Sequence, residues 1–268
     1  MRVGPVLIGP EQPTLIAGPC LAESRELCFQ VAESLIDICG RLGYQYIFKA
    51  SFDKANRTSV NTTRGSGLEE GLSILAAVKE RYEVPVTTDV HLPDQAAPVA
   101  EIVDLLQVPA FLSRQTDLLE ACAATGRPVN VKKGQFLAPH DTKNIVEKLR
   151  SFGASSVMLT ERGTTFGYNA LVVDMPGLEI MRSFGVPVCF DATHSAQRPG
   201  GAGSSSGGNR DSIPAMARAA IAVGIDALFM EIHPDPASAL SDKETQWPLA
   251  QAEELLAGLM RIWRASSF

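Results

Sequence analysis

Apolar positions recur along this chain as short runs of strand length: Thr14–Ala17, Tyr46–Ala50, Pro85–Thr88, Leu105–Val108, Val129–Lys132, Val157–Thr160, Val186–Phe190 and Ala227–Glu231. Between them lie stretches whose apolar residues return at helical spacing, among them Glu26–Leu42, Leu68–Arg81, Thr116–Ala124, Thr142–Phe152 and Asp211–Val223, with Leu249–Arg264 closing the chain. Strands buried on both faces read as continuous apolar runs, and a parallel sheet covered by helices buries both faces. Eight such runs alternating with helical segments over about 250 residues predict one α/β domain, a (β/α)8 TIM barrel spanning 1–268. Residues 1–13 precede the first run as an N-terminal extension, expected to plug the barrel floor. An open doubly wound sheet is the alternative, but no G-x-G-x-x-G follows the first run and no P-loop occurs.

Composition narrows the class. The 268 residues are 45% hydrophobic, enough for a sizeable core. A net charge of −6 argues against general nucleic-acid binding, which needs a basic face. The apolar patch before Pro10 and Glu11 is too short for a signal-peptide core, and no run reaches membrane-span length. Five cysteines, unevenly spaced, imply no disulfide framework. A soluble cytoplasmic protein is the expectation.

The chemistry gathers at the ends of the apolar runs. The seventh delivers Asp191, His194, Ser195, Gln197 and Arg198, then a Gly/Ser tract ending Gly207-Gly208-Asn209-Arg210, before a helix that Asp211 or Asn209 would cap. A flexible linker is the bland alternative, although linkers seldom carry His, Gln and Arg so densely. The other runs end similarly: Gly18-Pro19-Cys20 after the first, Lys49, Ser51, Lys54, Asn56, Arg57 and Ser59 after the second, Asp89 and His91 after the third. Gln107 and later Arg114 follow the fourth, Lys132 and Lys133 the fifth, Glu161-Arg162-Gly163 the sixth, and Glu231, His233 and Asp242 the eighth. Barrel enzymes place their chemistry at this carboxyl end.

Closing a barrel sets strand 8 between strands 7 and 1, so Cys20, His194, Glu231 and Asp242 come from neighbouring loops. One thiolate, one imidazole and two carboxylates suit a divalent ion such as Zn, Mn, Fe or Co. Cys28, Cys39 and Cys122 on helix faces and Cys189 in a strand read as core, and His140 as surface. Six cations around the same face of an acidic chain, Lys49, Lys54, Arg57, Arg114, Lys132 and Arg162, point to two anionic ligands or one with several charges.

Six segments resemble one family closely: Ala17-Gly18-Pro19-Cys20, Phe48-Lys49-Ala50-Ser51-Phe52-Asp53-Lys54-Ala55-Asn56-Arg57-Thr58-Ser59, Asn130-Val131-Lys132-Lys133-Gly134-Gln135-Phe136, Thr160-Glu161-Arg162-Gly163, Asp191-Ala192-Thr193-His194-Ser195 and Glu231-Ile232-His233-Pro234-Asp235-Pro236. Together they are similar to 3-deoxy-D-manno-octulosonate 8-phosphate synthase from about residue 14 to 250. That resemblance implies a transferase on a (β/α)8 barrel, a cytoplasmic homotetramer. It would condense phosphoenolpyruvate with D-arabinose 5-phosphate and water, on the way to the Kdo sugar of lipopolysaccharide. Cys20 and the Ala-Leu-Ser-Asp242 loop resemble the metal-dependent branch.

The resemblance assigns Cys20, His194, Glu231 and Asp242 to the metal. It gives phosphoenolpyruvate to Lys49, Lys132, Arg162 and the backbone from Gln107 through Pro109 to Ala110. It gives arabinose 5-phosphate to Asn56, Arg57 and Ser59, with Ser206 and a neighbouring subunit's Arg114 on the phosphate. It sets Lys54 and Asp89 at the reacting centre, with Lys54 or His194 moving protons. The alternatives are the related 3-deoxy-D-arabino-heptulosonate 7-phosphate synthase, a Schiff-base aldolase using Lys49 or Lys132, and a non-catalytic sugar-phosphate-binding barrel.

Overall fold

The computed structural model describes residues 1–56, 63–200 and 207–266. Eight strands alternate with eight helices: β1 Thr14–Gly18, α1 Arg25–Leu42, β2 Gln45–Lys49, α2 Leu68–Tyr82, β3 Val86–Asp89, α3 Pro93–Ile102, β4 Leu105–Val108, α4 Thr116–Ala124, β5 Val129–Lys132, α5 Thr142–Ser151, β6 Val157–Glu161, α6 Pro176–Arg182, β7 Val188–Asp191, α7 Ile213–Val223, β8 Ala227–His233 and α8 Ala252–Ala265. Each strand pairs in parallel with the next, and β8 pairs with both β7 and β1, so the sheet closes on itself. This is a (β/α)8 barrel.

Strands β3 and β7 begin one residue after Pro85 and Pro187, since proline has no N–H to give a ladder. Helices α3 and α6 fall outside the clearest helical periodicity, for physical reasons. Helix α3 carries Pro98 in its interior, and α6 is only seven residues long. Neither Asp211 nor Asn209 caps α7 through its side chain; a 3-10 turn, Arg210–Ser212, leads in instead, and Pro214 occupies the first helical turn. Helix α1 does have such a cap, the Ser24 hydroxyl accepting the Leu27 N–H at 3.1 Å.

Strand pleating positions the site. Ile16, Ile47, Leu105, Met158, Cys189, Ala227 and Phe229 form one buried cluster inside the barrel, while their neighbours along the strands pack outward against the helices. A hairpin of Arg2–Val3 and Val6–Leu7 adds Val3, Val6 and Ile8 to that inner cluster at the amino end. Two residues beyond Ile47, Leu105, Met158, Cys189 and Phe229, the same parity delivers Lys49, Gln107, Thr160, Asp191 and Glu231 to the interior at the other end. The barrel is therefore apolar at its floor and charged at its mouth.

Candidate active site

The carboxyl ends of the strands open into a cavity of about 660 Å³. Lys49, Lys54, Asn56, Asp89, Pro109, Ala110, Lys132, Arg162, His194, Glu231 and Asp242, all expected at the site, line it. Cys20 lies beneath, fully buried. Gly18 permits the close approach of β1 to β2, since a Cβ there would sit 2.0 Å from the Lys49 carbonyl oxygen. The Cys20 N–H then donates to Gln246 Oε1 at 3.0 Å, tying the β1 end to the segment after Asp242.

Four candidate metal donors meet at the seam. Cys20 Sγ lies 3.5 Å from Asp242 Oδ2, and donor atoms of Cys20, Glu231 and Asp242 fall within 4.8 Å of one another. His194 Nε2 stands 3.6 Å from Asp242 Oδ2 and 3.8 Å from Glu231 Oε1. Glu231 Oε1 takes the Lys49 ammonium at 2.8 Å, leaving buried Oε2 without a hydrogen-bond partner. Asp242 is held at φ 47°, a left-handed backbone uncommon outside glycine, while its carbonyl accepts from Thr245 and Gln246. His194 Nδ1 is 2.7 Å from Asp191 Oδ2, off the line of a good hydrogen bond but close enough to orient the ring. Burial and the carboxylates of Asp242 and Glu231 push the Cys20 thiol well up, a shift that a nearby cation would oppose. The residues fit a divalent transition ion.

The walls are cationic. Lys132 Nζ donates to Asp191 Oδ2 at 2.7 Å and sits 3.7 Å over the Phe229 ring. Arg162 is almost completely buried; NH2 donates to Gln197 at 2.8 Å, and NH1 has no hydrogen-bond partner among the described residues. Burial lowers its pKa, with Asp191 and Glu161 opposing. Burial pushes the Glu231 carboxyl up, but Lys49, Lys54, His194 and Lys132 outweigh it and hold it well below the ordinary range. Asp89 likewise stays ionised despite burial, beside Lys49, Lys54 and Lys132. Lys54 Nζ lies 3.5 Å from Glu231 and donates to Ser51 at 3.0 Å; burial lowers its pKa, but Cys20, Glu231, Asp89 and Asp242 raise it well up.

Some expected residues do not join this group. Gln107 is buried behind the cavity, donating to Asp89 at 2.7 Å and accepting from Asn130 at 3.1 Å. Arg114 is exposed just before α4, away from the cavity lining. Arg57, Ser59 and Ser206 lie outside the described residues. His233, two residues past Glu231, faces Glu23 at 3.7 Å instead of the donor cluster. The four other cysteines are buried, and His140 is exposed. Phe229 and Gln246 support the site without any sequence signal marking them, and Thr193, inside the Asp191–Ser195 segment, accepts the Glu231 N–H at 3.1 Å through its hydroxyl. His91 and Gln135, each beside a run end, line the cavity as well.

A parallel barrel with buried cations and a convergent donor set at its carboxyl end is an enzyme architecture for anionic substrates. Residues 2–262 match the model of the DAHP synthetase I family, and the chain belongs to that family. It is 59% identical to a 2-dehydro-3-deoxyphosphooctonate aldolase of Cyanothece sp., over 95% of this chain and 94% of the relative. Proteins of the same name from Synechococcus sp. and Desulfotalea psychrophila are 60% and 56% identical, over 94% and 96% of this chain and 89% and 92% of their own. Among the described residues, no helix is long and apolar enough to cross a membrane.

Proposed function

We propose that this protein condenses phosphoenolpyruvate with D-arabinose 5-phosphate and water, giving 3-deoxy-D-manno-octulosonate 8-phosphate and phosphate. The relatives' name describes the same octulosonate phosphate. The observation that carries the reading is the buried Arg162, whose NH1 has no hydrogen-bond partner among the described residues, lining the same cavity as His194, Glu231 and Asp242, with Cys20 beside the two carboxylates. A sugar-phosphate sensor has no need of both.

Lys49, Lys132 and Arg162 would hold the phosphate and carboxylate of phosphoenolpyruvate, offsetting the repulsion between two anionic substrates before they meet. The carboxylates beside Lys49 and Lys132, at 2.8 and 2.7 Å, suit anion-binding ammonium groups better than Schiff-base nucleophiles. Carbon 3 of the enol attacks the sugar aldehyde, whose oxygen takes a proton; water adds at carbon 2, and the phosphate leaves from it. Lys54, between Glu231 and Ser51, is placed to deliver a proton, and Asp89 holds Ser51 through a 2.5 Å hydrogen bond. Cys20, His194, Glu231 and Asp242 would hold a divalent ion, which supplies Lewis acidity toward a substrate or water oxygen. Asn56, at the cavity edge, would receive a sugar hydroxyl, and Arg114 would serve the sugar phosphate of a neighbouring copy in a homotetramer.

The test is inorganic phosphate release with each substrate alone and with both. Release only with both supports the reading; release from phosphoenolpyruvate alone, or none, overturns it. Borohydride trapping of a keto substrate on Lys49 or Lys132 would instead establish the aldolase alternative.

A further inference from the structure

Two charged residues are fully buried where this mechanism gives them no task. Lys133 and Glu161 are both 0% exposed and lie 3.5 Å apart. Each directly follows or precedes a cavity cation: Lys133 comes after Lys132, and Glu161 comes before Arg162. Strand alternation sends the members of each pair to opposite sides, so Lys133 and Glu161 sit under the loops rather than in the cavity.

Their partners are mostly backbone. Lys133 Nζ donates to the carbonyls of Gly134 and Leu137 at 3.4 and 3.2 Å, and to the Thr164 hydroxyl at 2.9 Å. Glu161 Oε1 accepts the Gly163 N–H at 2.5 Å, across a turn in which Gly163 takes φ 93°. The Thr165 N–H donates to the Gln135 carbonyl at 2.9 Å. The Lys133–Thr164 and Thr165–Gln135 hydrogen bonds thus fasten the loop after β5 to the loop after β6, with the Glu161 carboxylate beside them, its Oε2 3.5 Å from Lys133 Nζ and not hydrogen-bonded among the described residues. Burying two charges carries a large desolvation cost, and well-packed apolar side chains often stabilise as well or better. What apolar side chains cannot do is pair with the Gly163 N–H and the Gly134 and Leu137 carbonyls.

We infer that Lys133 and Glu161 are positioning residues for phosphoenolpyruvate: they set the Glu161–Thr164 turn so that the Arg162 guanidinium is held against the cavity wall with NH1 toward the ligand. The inference rests on the proposed assignment of Arg162 to that substrate. It separates the two substrates, because among the described residues no hydrogen bond or ion pair joins Lys133 or Glu161 to Lys54, Ala55 or Asn56 on the second loop.

The experiment combines steady-state kinetics with a binding cycle read by calorimetry using phosphoenolpyruvate. Glu161→Ala should raise the phosphoenolpyruvate KM by about tenfold while the arabinose 5-phosphate KM moves less than about twofold; Glu161→Gln, which keeps an acceptor for Gly163, should recover most of the loss. In an Arg162→Ala background the effect of either change on phosphoenolpyruvate Kd should vanish, since a residue acting through Arg162 has nothing left to position. If Glu161→Ala does not fold, Lys133→Met, which removes the other half of the pair, carries the cycle. Equal losses for both substrates, or the same factor lost with and without Arg162, overturns the inference. A wild-type protein that binds no phosphoenolpyruvate overturns the functional reading itself, a separate result read on the unmodified chain.

Discussion

Replacing Asp89 by asparagine removes one charge with little change of shape, and the structure sets what should follow. The carboxylate accepts from Gln107 Nε2 at 2.7 Å and Ser51 Oγ at 2.5 Å, with Lys49 Nζ at 3.9 Å. Because a carboxylate only accepts, it orients a row of side chains. Gln107 must turn its amide nitrogen to Asp89, so its oxygen receives Asn130 at 3.1 Å, and Asn130 in turn accepts from Thr160 at 2.7 Å. The substituted amide can keep the Gln107 contact only by turning its own NH2 toward Ser51, whose hydroxyl proton then loses its acceptor. The gross attraction to Lys49 at that distance is about 4 kcal/mol at an effective dielectric near 20. Lys49 retains Glu231 at 2.8 Å, so it is not orphaned, and the carboxylate's desolvation is recovered. We expect a net loss of roughly 2 kcal/mol, smaller than the cost of orphaning a buried charge. That corresponds to a fall in Tm of roughly 4 to 8 °C.

The pH dependence has a definite sign. Burial pushes the Asp89 carboxyl up, but Lys49, Lys54 and Lys132 hold it well below the ordinary range. A folded pKa below the unfolded one gives stability that is complete above the unfolded value, about 3.9, and is lost as pH falls toward the folded value. The gap between wild type and Asp89→Asn in urea unfolding should therefore be flat from about pH 5 to 8 and narrow below about pH 4. A gap under about 0.5 kcal/mol at neutral pH, or one that widens in acid, would refute the electrostatic account.

Three other outcomes are expected. Phe229→Ala removes the fully buried ring beneath Lys132, and chemical denaturation should register a loss of about 3 to 5 kcal/mol; a loss below about 1 kcal/mol would mean the barrel interior collapses onto the gap. Chelation should abolish turnover and Mn2+ or a similar ion should restore it, whereas full activity in protein shown by elemental analysis to be metal-free would remove the metal from the account. Mixed oligomers of Arg114→Ala and Arg57→Ala subunits should regain some active sites; hybrids no better than their parents would confine Arg114 to its own chain.

Much of this architecture is legible in the sequence because both faces of every barrel strand are buried, leaving uninterrupted runs such as Val129–Lys132 and Ala227–His233. The donor set is legible for the same topological reason: closure of β8 onto β1 brings Cys20 beside Glu231 and Asp242 across more than 200 residues. Side-chain direction is harder. Lys132 and Lys133, or Glu161 and Arg162, look alike as neighbours in the chain, yet alternation puts one of each in the cavity and one beneath the loops. Counting in twos from Met158 and Cys189 would have distinguished them, but only with the inner face already known. Phe229 gives no sign at all, since an aromatic in an apolar run is expected anywhere in a core. Arg114 shows the limit of a single chain: its expected substrate contact belongs to another copy.

The choice of sugar acceptor is read most directly from kcat/KM with phosphoenolpyruvate for arabinose 5-phosphate and erythrose 4-phosphate side by side, with each product identified by mass. Asn56 stands at the cavity edge with an amide donor and acceptor for a sugar hydroxyl, and a site built to hydrogen-bond a hydroxyl rejects ligands that leave its polar groups unpaired. The enzyme should prefer arabinose 5-phosphate by at least about a hundredfold, with an eight-carbon phosphorylated acid as product. Equal or better use of erythrose 4-phosphate would contradict it.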